Sequence, residues 1–158
     1  MSPGARSSGD FPDLVLDDPD GRGHPLKEAW RDGDALVLIG HRDCSTTRLT
    51  IPFFERIHRR RTRGTAVLVL QDDAATAREL SAELSLSVPI RLEPLPYPLA
   101  AALQLEAVPT LFLVGRDGRI TRVSEGFDRD ALEGLAERMG IASALFDPAD
   151  RAPAFRPG

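Results

Sequence analysis

Residues 35–54 have the sequence ALVLIGHRDCSTTRLTIPFF, in which an apolar run leads directly to Cys44, the only cysteine of the chain. The run at 35–39 is typical of a buried strand, and the polar residues at 41–43 predict a turn before a helix that begins at Cys44. A thiol at a helix N-terminus faces unpaired backbone N–H groups and the positive end of the helix dipole, which favour the thiolate. Because the thiolate is the nucleophilic form, the sequence predicts a reactive cysteine. The alternative is a small buried residue without chemistry.

A second informative feature lies far downstream, at Val108-Pro109-Thr110. It precedes the apolar run at 111–114, which is followed by a turn with the sequence RDGR at 116–119. A proline directly before a strand can follow a cis peptide bond, and such bonds are uncommon enough to be informative. The alternative is a proline that starts a strand and has no functional role.

Together these segments resemble the thioredoxin-like superfamily, in its TlpA-like or peroxiredoxin-like (redoxin) branch. The matching segments are an opening hairpin at 10–21, a connecting segment at 25–30, the helix that starts at Cys44 and carries Pro52, and the strand pair after Pro109. The resemblance covers residues 10–140. It implies that Cys44 faces a cis-proline at Pro109, and that Val108, Pro109 and Thr110 hold the substrate as an extended strand.

The alternation of strand and helix patterns predicts an α/β protein with a three-layer thioredoxin-like fold. We expect a central mixed sheet of about five strands flanked by helices, with an extra N-terminal β-hairpin. Residues 1–9 are expected to form a disordered leader, 10–142 the thioredoxin-like domain, and 143–158 a proline-rich irregular tail. Helices are expected at 44–61, 74–86, 99–105 and 129–139, and strands at 14–16, 35–39, 65–70, 89–92, 111–114 and 119–123.

The composition is that of one soluble globular domain, with 42% hydrophobic and 28% charged residues. A net charge of −4 argues against nucleic acid as an obligatory partner. The arginines at 56, 59–61 and 63 are better explained by a helix C-terminus, where cations offset the dipole. The N-terminus lacks an apolar signal core and no stretch reaches membrane-spanning length, so we expect a cytoplasmic protein without a membrane partner.

The presence of one cysteine restricts the chemistry that the chain can perform. Dithiol exchange uses two cysteines three positions apart, and here the second position is Thr47, which can hydrogen-bond a thiolate but cannot resolve a mixed disulfide. The sequence therefore predicts a monothiol redox protein in which Cys44 is the nucleophile and an external thiol resets it. Protein disulfides, peroxide or a low-molecular-weight thiol are the expected substrates. No cofactor is implied, and no oligomeric state is specified.

His41 and Arg48 are the candidate helpers of Cys44. The His41 imidazole can take the thiol proton or, as imidazolium, stabilise the thiolate; the alternative is a histidine that caps the turn or faces solvent. Arg48, like Arg42, can hold an anionic substrate such as glutathione, and its alternative is a solvated surface residue. Asp43 opposes thiolate formation and is a candidate helix N-cap.

Several departures from the family pattern leave other functions open. Members of the family have a buried acidic or amide side chain on the strand before the cysteine. In this chain the corresponding position is about Leu38, so that group is absent, and GHRD at 40–43 stands in place of the peroxiredoxin signature. The chain can therefore be a binding or regulatory module that kept the groove and lost turnover, or a redox sensor in which oxidised Cys44 captures a partner. No metal site is expected, because His58 lies too far along the helix to join His41 and Cys44.

Overall fold

A seven-stranded mixed sheet forms the centre of the computed structural model, which describes residues 5–158. Its strands are β1 (Val15–Asp17), β2 (Gly23–Pro25), β3 (Ala35–Gly40), β4 (Thr65–Leu70), β5 (Ile90–Leu92), β6 (Thr110–Val114) and β7 (Ile120–Glu125). They lie in the order β2-β1-β5-β4-β3-β6-β7, with β3, β4 and β5 parallel and β6 antiparallel to β3. The predicted mixed sheet and N-terminal hairpin are confirmed. The sheet exceeds five strands because β1 and β2 join its edge, where Asp17 pairs with Leu92.

Helices cover both faces of this sheet, as the sequence predicts. They are α1 (Ser45–Arg60), α2 (Ala74–Glu83), α3 (Pro98–Ala102) and α4 (Arg129–Arg138), with 3-10 turns at Leu26–Trp30 and Pro148–Asp150. Successive side chains of a strand point to opposite faces, so Leu36 and Leu38 pack in one core with α1, α2 and α4. Val37 and Ile39 pack in a second core with Trp30. These two cores separate the three layers.

Several helices are shorter than the periodicity predicts, and the backbone gives the reason. The second helix ends at Glu83 rather than 86 because Ser85 has a φ of 53°, and the third ends at Ala102 rather than 105 because Gln104 has a φ of 56°. A residue in the left-handed region terminates an α-helix one position after its C-cap. Pro52, by contrast, lies inside α1 and does not end it.

Residues 5–9, expected to be a disordered leader, contact the domain. The Arg6 N–H donates to the Leu103 carbonyl, and the Ile120 N–H donates to the Gly9 carbonyl, both at 2.8–2.9 Å. Residues 5–9 of the expected leader therefore pack on the domain in this structure, and the rest of that segment, 1–4, lies outside the described residues. Within residues 5–158, no helix has the length and apolar character required to cross a membrane.

The tail segment, defined here as residues 143–158, is also more regular than expected. Besides the turn at Pro148–Asp150, it contains strand β9 (Phe155–Arg156), which pairs antiparallel with β8 (Phe127–Asp128). The expectation of an irregular tail is thus wrong in part. Its regularity comes from tertiary contacts, chiefly the buried ring of Phe146 stacked 4.5 Å from the ring of Phe53, and not from any repeat of apolar residues.

Candidate functional site

Cys44 is the N-cap residue of α1. Its φ and ψ are −82° and 115°, outside the helical region, and its Sγ accepts a hydrogen bond from the backbone N–H of Thr47 at 3.4 Å. This N–H is one of the donors that a helix leaves without an internal partner. The sulfur therefore occupies the place where a helix best stabilises a negative charge, and the thiol is half-buried rather than sealed in the core. Asp43, the other candidate for the cap, is exposed.

The turn at Val108-Pro109 lies directly against this sulfur. The thiol donates a hydrogen bond to the Val108 carbonyl at 3.3 Å, and the Val108–Pro109 peptide bond is cis. The register of the sheet explains the contact, since Ile39 at the end of β3 pairs with Thr110 at the start of β6. The residues that follow β3 and those that precede β6 must then meet at the same edge. Two sequence-predicted site residues, Cys44 and Val108, are thereby brought together.

Thr47 contributes to the site through a different group than the sequence suggests. Its backbone N–H, and not its hydroxyl, bonds Cys44, while its Oγ1 is buried without a hydrogen-bond partner among residues 5–158. That side chain packs against Gly40, where an added Cβ would lie 2.6 Å from Thr47 Cγ2. Glycine at position 40 is therefore what lets the strand approach the first turn of α1 so closely. The sequence pattern gives no sign of this contact, since Gly40 stands there only as the first residue of GHRD at 40–43.

Thr110, predicted to help hold the substrate, is buried. Its hydroxyl donates to the Ala107 carbonyl at 2.9 Å, so it stabilises the turn around Pro109 and has no free donor for a substrate. Pro109 itself accepts a hydrogen bond from the Gly126 N–H at 2.8 Å. The acceptor of this turn that lies next to the sulfur is the carbonyl of Val108.

None of the charged helpers predicted around Cys44 forms a hydrogen bond with the sulfur among the described residues. His41 provides a backbone carbonyl that accepts the Cys44 N–H at 3.2 Å, and its imidazole forms no hydrogen bond with any described residue. The guanidinium groups of Arg42 and Arg48 reach across to α2, where they pair with Glu79 and Glu83 respectively. The structure therefore does not assemble these cations into an anion site over the thiol. Nor do three His, Cys, Asp or Glu side chains of the described residues converge on a point where a metal ion could bind.

A buried acid, absent from the strand before Cys44, is found elsewhere. Leu38 lies in the core, while Glu93, after β5, is fully buried. The two carboxylate oxygens of Glu93 accept hydrogen bonds from the Gln71 side chain at 3.0 Å and the Ala100 N–H at 2.8 Å. With both oxygens engaged, Glu93 holds the loops at the carboxyl ends of β4 and β5. No sequence pattern singled it out, since it follows a short strand with no apolar alternation after it.

The end of the tail segment reaches the first turn of α1. The Thr46 hydroxyl donates to the Pro157 carbonyl at 2.7 Å, and the Arg156 guanidinium donates to the Ser45 hydroxyl at 2.9 Å. Gly158 packs so tightly on the opposite side of the site that a side chain there would overlap the Val108 carbonyl oxygen. No sequence pattern predicts this contact, because it joins residues 111 positions apart without a pairing motif.

Three solved structures with the same fold are named as thiol:disulfide interchange proteins or as a peroxidoxin. A candidate thiol:disulfide interchange protein DsbE from Chlorobium tepidum matches with a TM-score of 0.74 and 20% identity, over 90% of this chain and 99% of that chain. The peroxidoxin BcpB from Mycobacterium tuberculosis matches with a TM-score of 0.72 and 16% identity, over 88% and 99%. A thiol:disulfide interchange protein from Bacteroides sp. matches with a TM-score of 0.71 and 17% identity, over 88% and 93%.

These likenesses confirm the predicted thioredoxin-like fold. At identities of 20% or less they establish the fold and leave the activity to be argued from the site. No protein-family model matches the chain, and no curated protein is significantly similar to it.

Proposed function

We propose that the protein is a monothiol redox protein in which Cys44 forms a mixed disulfide that an external thiol resets. The observation that carries this proposal is the position of Sγ, 3.4 Å from a free helix N–H on Thr47 and 3.3 Å from the Val108 carbonyl. The N–H stabilises a thiolate, and the half-buried sulfur can be approached from outside. The thiol-disulfide proteins among the similar structures support the same chemistry.

The reaction begins when the Cys44 thiolate attacks one sulfur of a substrate disulfide. A new S–S bond forms between Cys44 and that sulfur, and the other substrate sulfur leaves as a thiolate. A first external thiolate then takes the substrate's place on Cys44 and releases it reduced. A second external thiolate regenerates Cys44, so two external thiols become one disulfide. Thr47 cannot replace the external thiols, because a hydroxyl does not form S–S bonds.

The Val108 carbonyl has two partners in this scheme at different stages. In the resting thiol form it accepts the S–H proton of Cys44. Once that proton leaves, the carbonyl lacks its donor and is free to accept a backbone N–H from an extended substrate segment, as an exposed strand edge does. Loss of the proton thus prepares the nucleophile and the substrate-binding group together.

A response to peroxide is the second candidate function, favoured by the half-burial of Cys44. A small oxidant reaches such a sulfur more easily than a protein does. The thiolate would attack one peroxide oxygen to give a sulfenic acid, and the other oxygen would leave as hydroxide, which takes a proton from solvent to become water. One external thiol would then form a mixed disulfide with release of water, and a second would regenerate the Cys44 thiol. A redox sensor would stop at the sulfenic acid or at a mixed disulfide with a partner.

The test measures the reaction of the folded protein with hydroxyethyl disulfide, followed by intact mass. We expect one adduct on Cys44, formed faster than in the urea-unfolded chain, and removed by added glutathione. The Cys44→Ser variant is the matched control and should form none. If the folded protein reacts more slowly than the unfolded chain, both with and without residues 155–158, the redox proposal is wrong. A binding module without turnover would then be favoured, provided that Cys44→Ser retains its partner.

A further inference from the structure

We propose that residues 155–158 are an autoinhibitory strap, which lies in the substrate groove of the resting protein and must leave before an extended polypeptide reaches Cys44. This inference rests on the proposed function, since it concerns access to the same sulfur. The strap touches both walls of the site: Thr46 on the helix side bonds Pro157 at 2.7 Å, and Val108 on the turn side packs on Gly158. Cys44 lies between these two walls.

The strap has the conformation that a substrate would need. Phe155 and Arg156 form β9 and pair with Asp128 and Phe127 of β8, and the Arg129 N–H donates to the Ala154 carbonyl at 3.0 Å. Extended backbone therefore enters the site along a strand edge and ends against the Val108 carbonyl. A substrate segment that uses that carbonyl would overlap the strap, so the two cannot be bound at once.

The base of the tail segment is held far more firmly than the strap. The Arg56 guanidinium makes two hydrogen bonds to the Asp150 carboxylate, at 2.7 and 2.9 Å, and a third to the Leu145 carbonyl. The Glu133 carboxylate accepts the backbone N–H groups of Leu145 and Phe146. These paired and partly buried groups anchor the segment next to the site.

The strap itself is held by fewer side-chain hydrogen bonds, one of them part-buried and one exposed. All of residues 153–158 are exposed, and the Phe155 side chain keeps 57% of its surface in solvent. When the strap leaves the groove, little additional apolar surface becomes exposed to water. The anchored part of the tail segment keeps the strap close to the groove, so that it can bind there again. The strap therefore has two arrangements, one in which it lies in the groove (closed) and one in which it has left it (open). A substrate that binds only the open form increases the population of that form.

A comparison of a small and a large thiol reagent tests this inference. The small reagent is iodoacetamide, and the large one is an extended peptide whose single cysteine carries a pyridyl disulfide. Deleting residues 155–158 should raise the rate with the peptide by about tenfold or more, and the rate with iodoacetamide by no more than about twofold, because only the peptide requires the open form. Thermal unfolding monitored by circular dichroism verifies that the shortened protein is folded.

Two further variants keep the test independent of the deletion. Thr46→Val retains the full chain and removes the donor to Pro157, so it should raise the peptide rate in the same direction by a few-fold. Arg60→Ala, which removes an exposed arginine at the far end of α1, is the matched control and should change neither rate. The free peptide APAFRPG, which corresponds to residues 152–158, should slow the peptide reaction of the shortened protein when it is added in excess.

The outcomes separate this inference from the proposed function. Equal acceleration with both reagents, or a slower peptide reaction after the deletion, would show that the strap does not guard a polypeptide groove. If the shortened protein reacts with the peptide at the rate of the full chain and both form the mixed disulfide, the strap proposal is wrong and the redox proposal stands. If neither the full nor the shortened protein forms a mixed disulfide with the peptide or with hydroxyethyl disulfide, both proposals fail.

Discussion

The thiol of Cys44 donates to the carbonyl of Val108 at 3.3 Å, across 64 positions of sequence. The antiparallel register of β3 and β6 produces this contact, because it places the residue after one strand opposite the residue before the other. The sulfur then has a backbone donor on one side and a backbone acceptor on the other. The reactivity of the Cys44 thiol therefore depends on the positions of the two main-chain segments that carry Thr47 and Val108. Substitutions that move either segment should alter that reactivity.

Thr47→Cys should convert the monothiol site into a dithiol site. The new thiol would stand three positions after Cys44 in the first turn of α1, where it can attack a mixed disulfide on Cys44 and release the adduct. After treatment with glutathione disulfide, we expect an internal disulfide in place of the stable glutathione adduct, as measured by intact mass. Thr47→Val fills the same space without a thiol, so its adduct should persist. A persistent adduct in Thr47→Cys as well would contradict the proposed geometry.

Gly40→Ala should destabilise the protein by overpacking the junction of β3 and α1. The added Cβ would lie 2.6 and 2.7 Å from the Cγ2 and Oγ1 atoms of Thr47, which is fully buried. Forcing a methyl group into a packed core costs about 1–3 kcal/mol. Urea unfolding measures the loss, and Gly40→Ala combined with Thr47→Ala should recover a large part of it. Strictly additive effects of the two substitutions would mean that the side chains do not meet.

Phe146→Ala should cost more stability than any other single truncation in the tail segment. Its ring is buried, lies 4.5 Å from the Phe53 ring and packs on Phe127. Replacing a buried phenylalanine by alanine typically costs about 3–5 kcal/mol. The matched control is Phe155→Ala, whose ring is largely exposed and whose loss should cost under about 1 kcal/mol. If the two variants have equal midpoints in urea, the tail segment is not anchored through Phe146.

The anchor between Arg56 and Asp150 should persist in acid well below neutral pH. The hydrogen bonds from the Arg56 guanidinium lower the pKa of Asp150 from 3.8 to about 2. A folded pKa below the unfolded one means that the unfolded chain binds the proton more readily, so stability falls as pH decreases. The contribution is complete above the unfolded value and disappears as pH falls from about 4 to about 2.

Asp150→Asn measures this dependence directly. The difference in unfolding free energy between the wild-type protein and the variant should be constant from neutral pH to about pH 5, and should shrink toward zero near pH 2. The variant keeps the size of the side chain, removes its charge and replaces one acceptor oxygen by an amide donor, much as protonation of the carboxylate does. A difference that disappears already at pH 5 would mean that the ion pair with Arg56 does not form in solution.

Local pattern was sufficient to predict the part of the site that is made within one segment. The apolar run at 35–39 followed by polar residues at 41–43 predicts a buried strand, a turn and a helix start, and Cys44 is found at that start. The local pattern at Pro109 indicates only a proline before an apolar run, and its place opposite Cys44 is what the resemblance to the thioredoxin-like superfamily implies. For the strand, the turn and the helix start, the signal lies within a few residues of the feature that it predicts.

The parts that sequence reasoning missed depend on distant contacts or on backbone geometry. The strap meets Thr46 only because the buried ring of Phe146 and the Arg56–Asp150 pair carry the tail segment back to α1. Thr47 was assigned a hydroxyl contact, whereas the helix geometry presents its N–H. Glu93 is buried by loops whose course depends on the whole sheet, and no local pattern reports such burial.

Among the described residues, the hydrogen-bond partners of the Cys44 sulfur are the Thr47 N–H and the Val108 carbonyl, and both belong to the main chain. Almost any residue carries these groups, so the chemistry can be inherited while the side chains around it change. Divergence is then limited mainly by positions that shape the backbone, such as Gly40 and Pro109. This gives a physical reason why a chain can share its architecture with thiol-disulfide proteins at 20% identity or less. A search for relatives should therefore compare backbone structures before it compares amino-acid sequences.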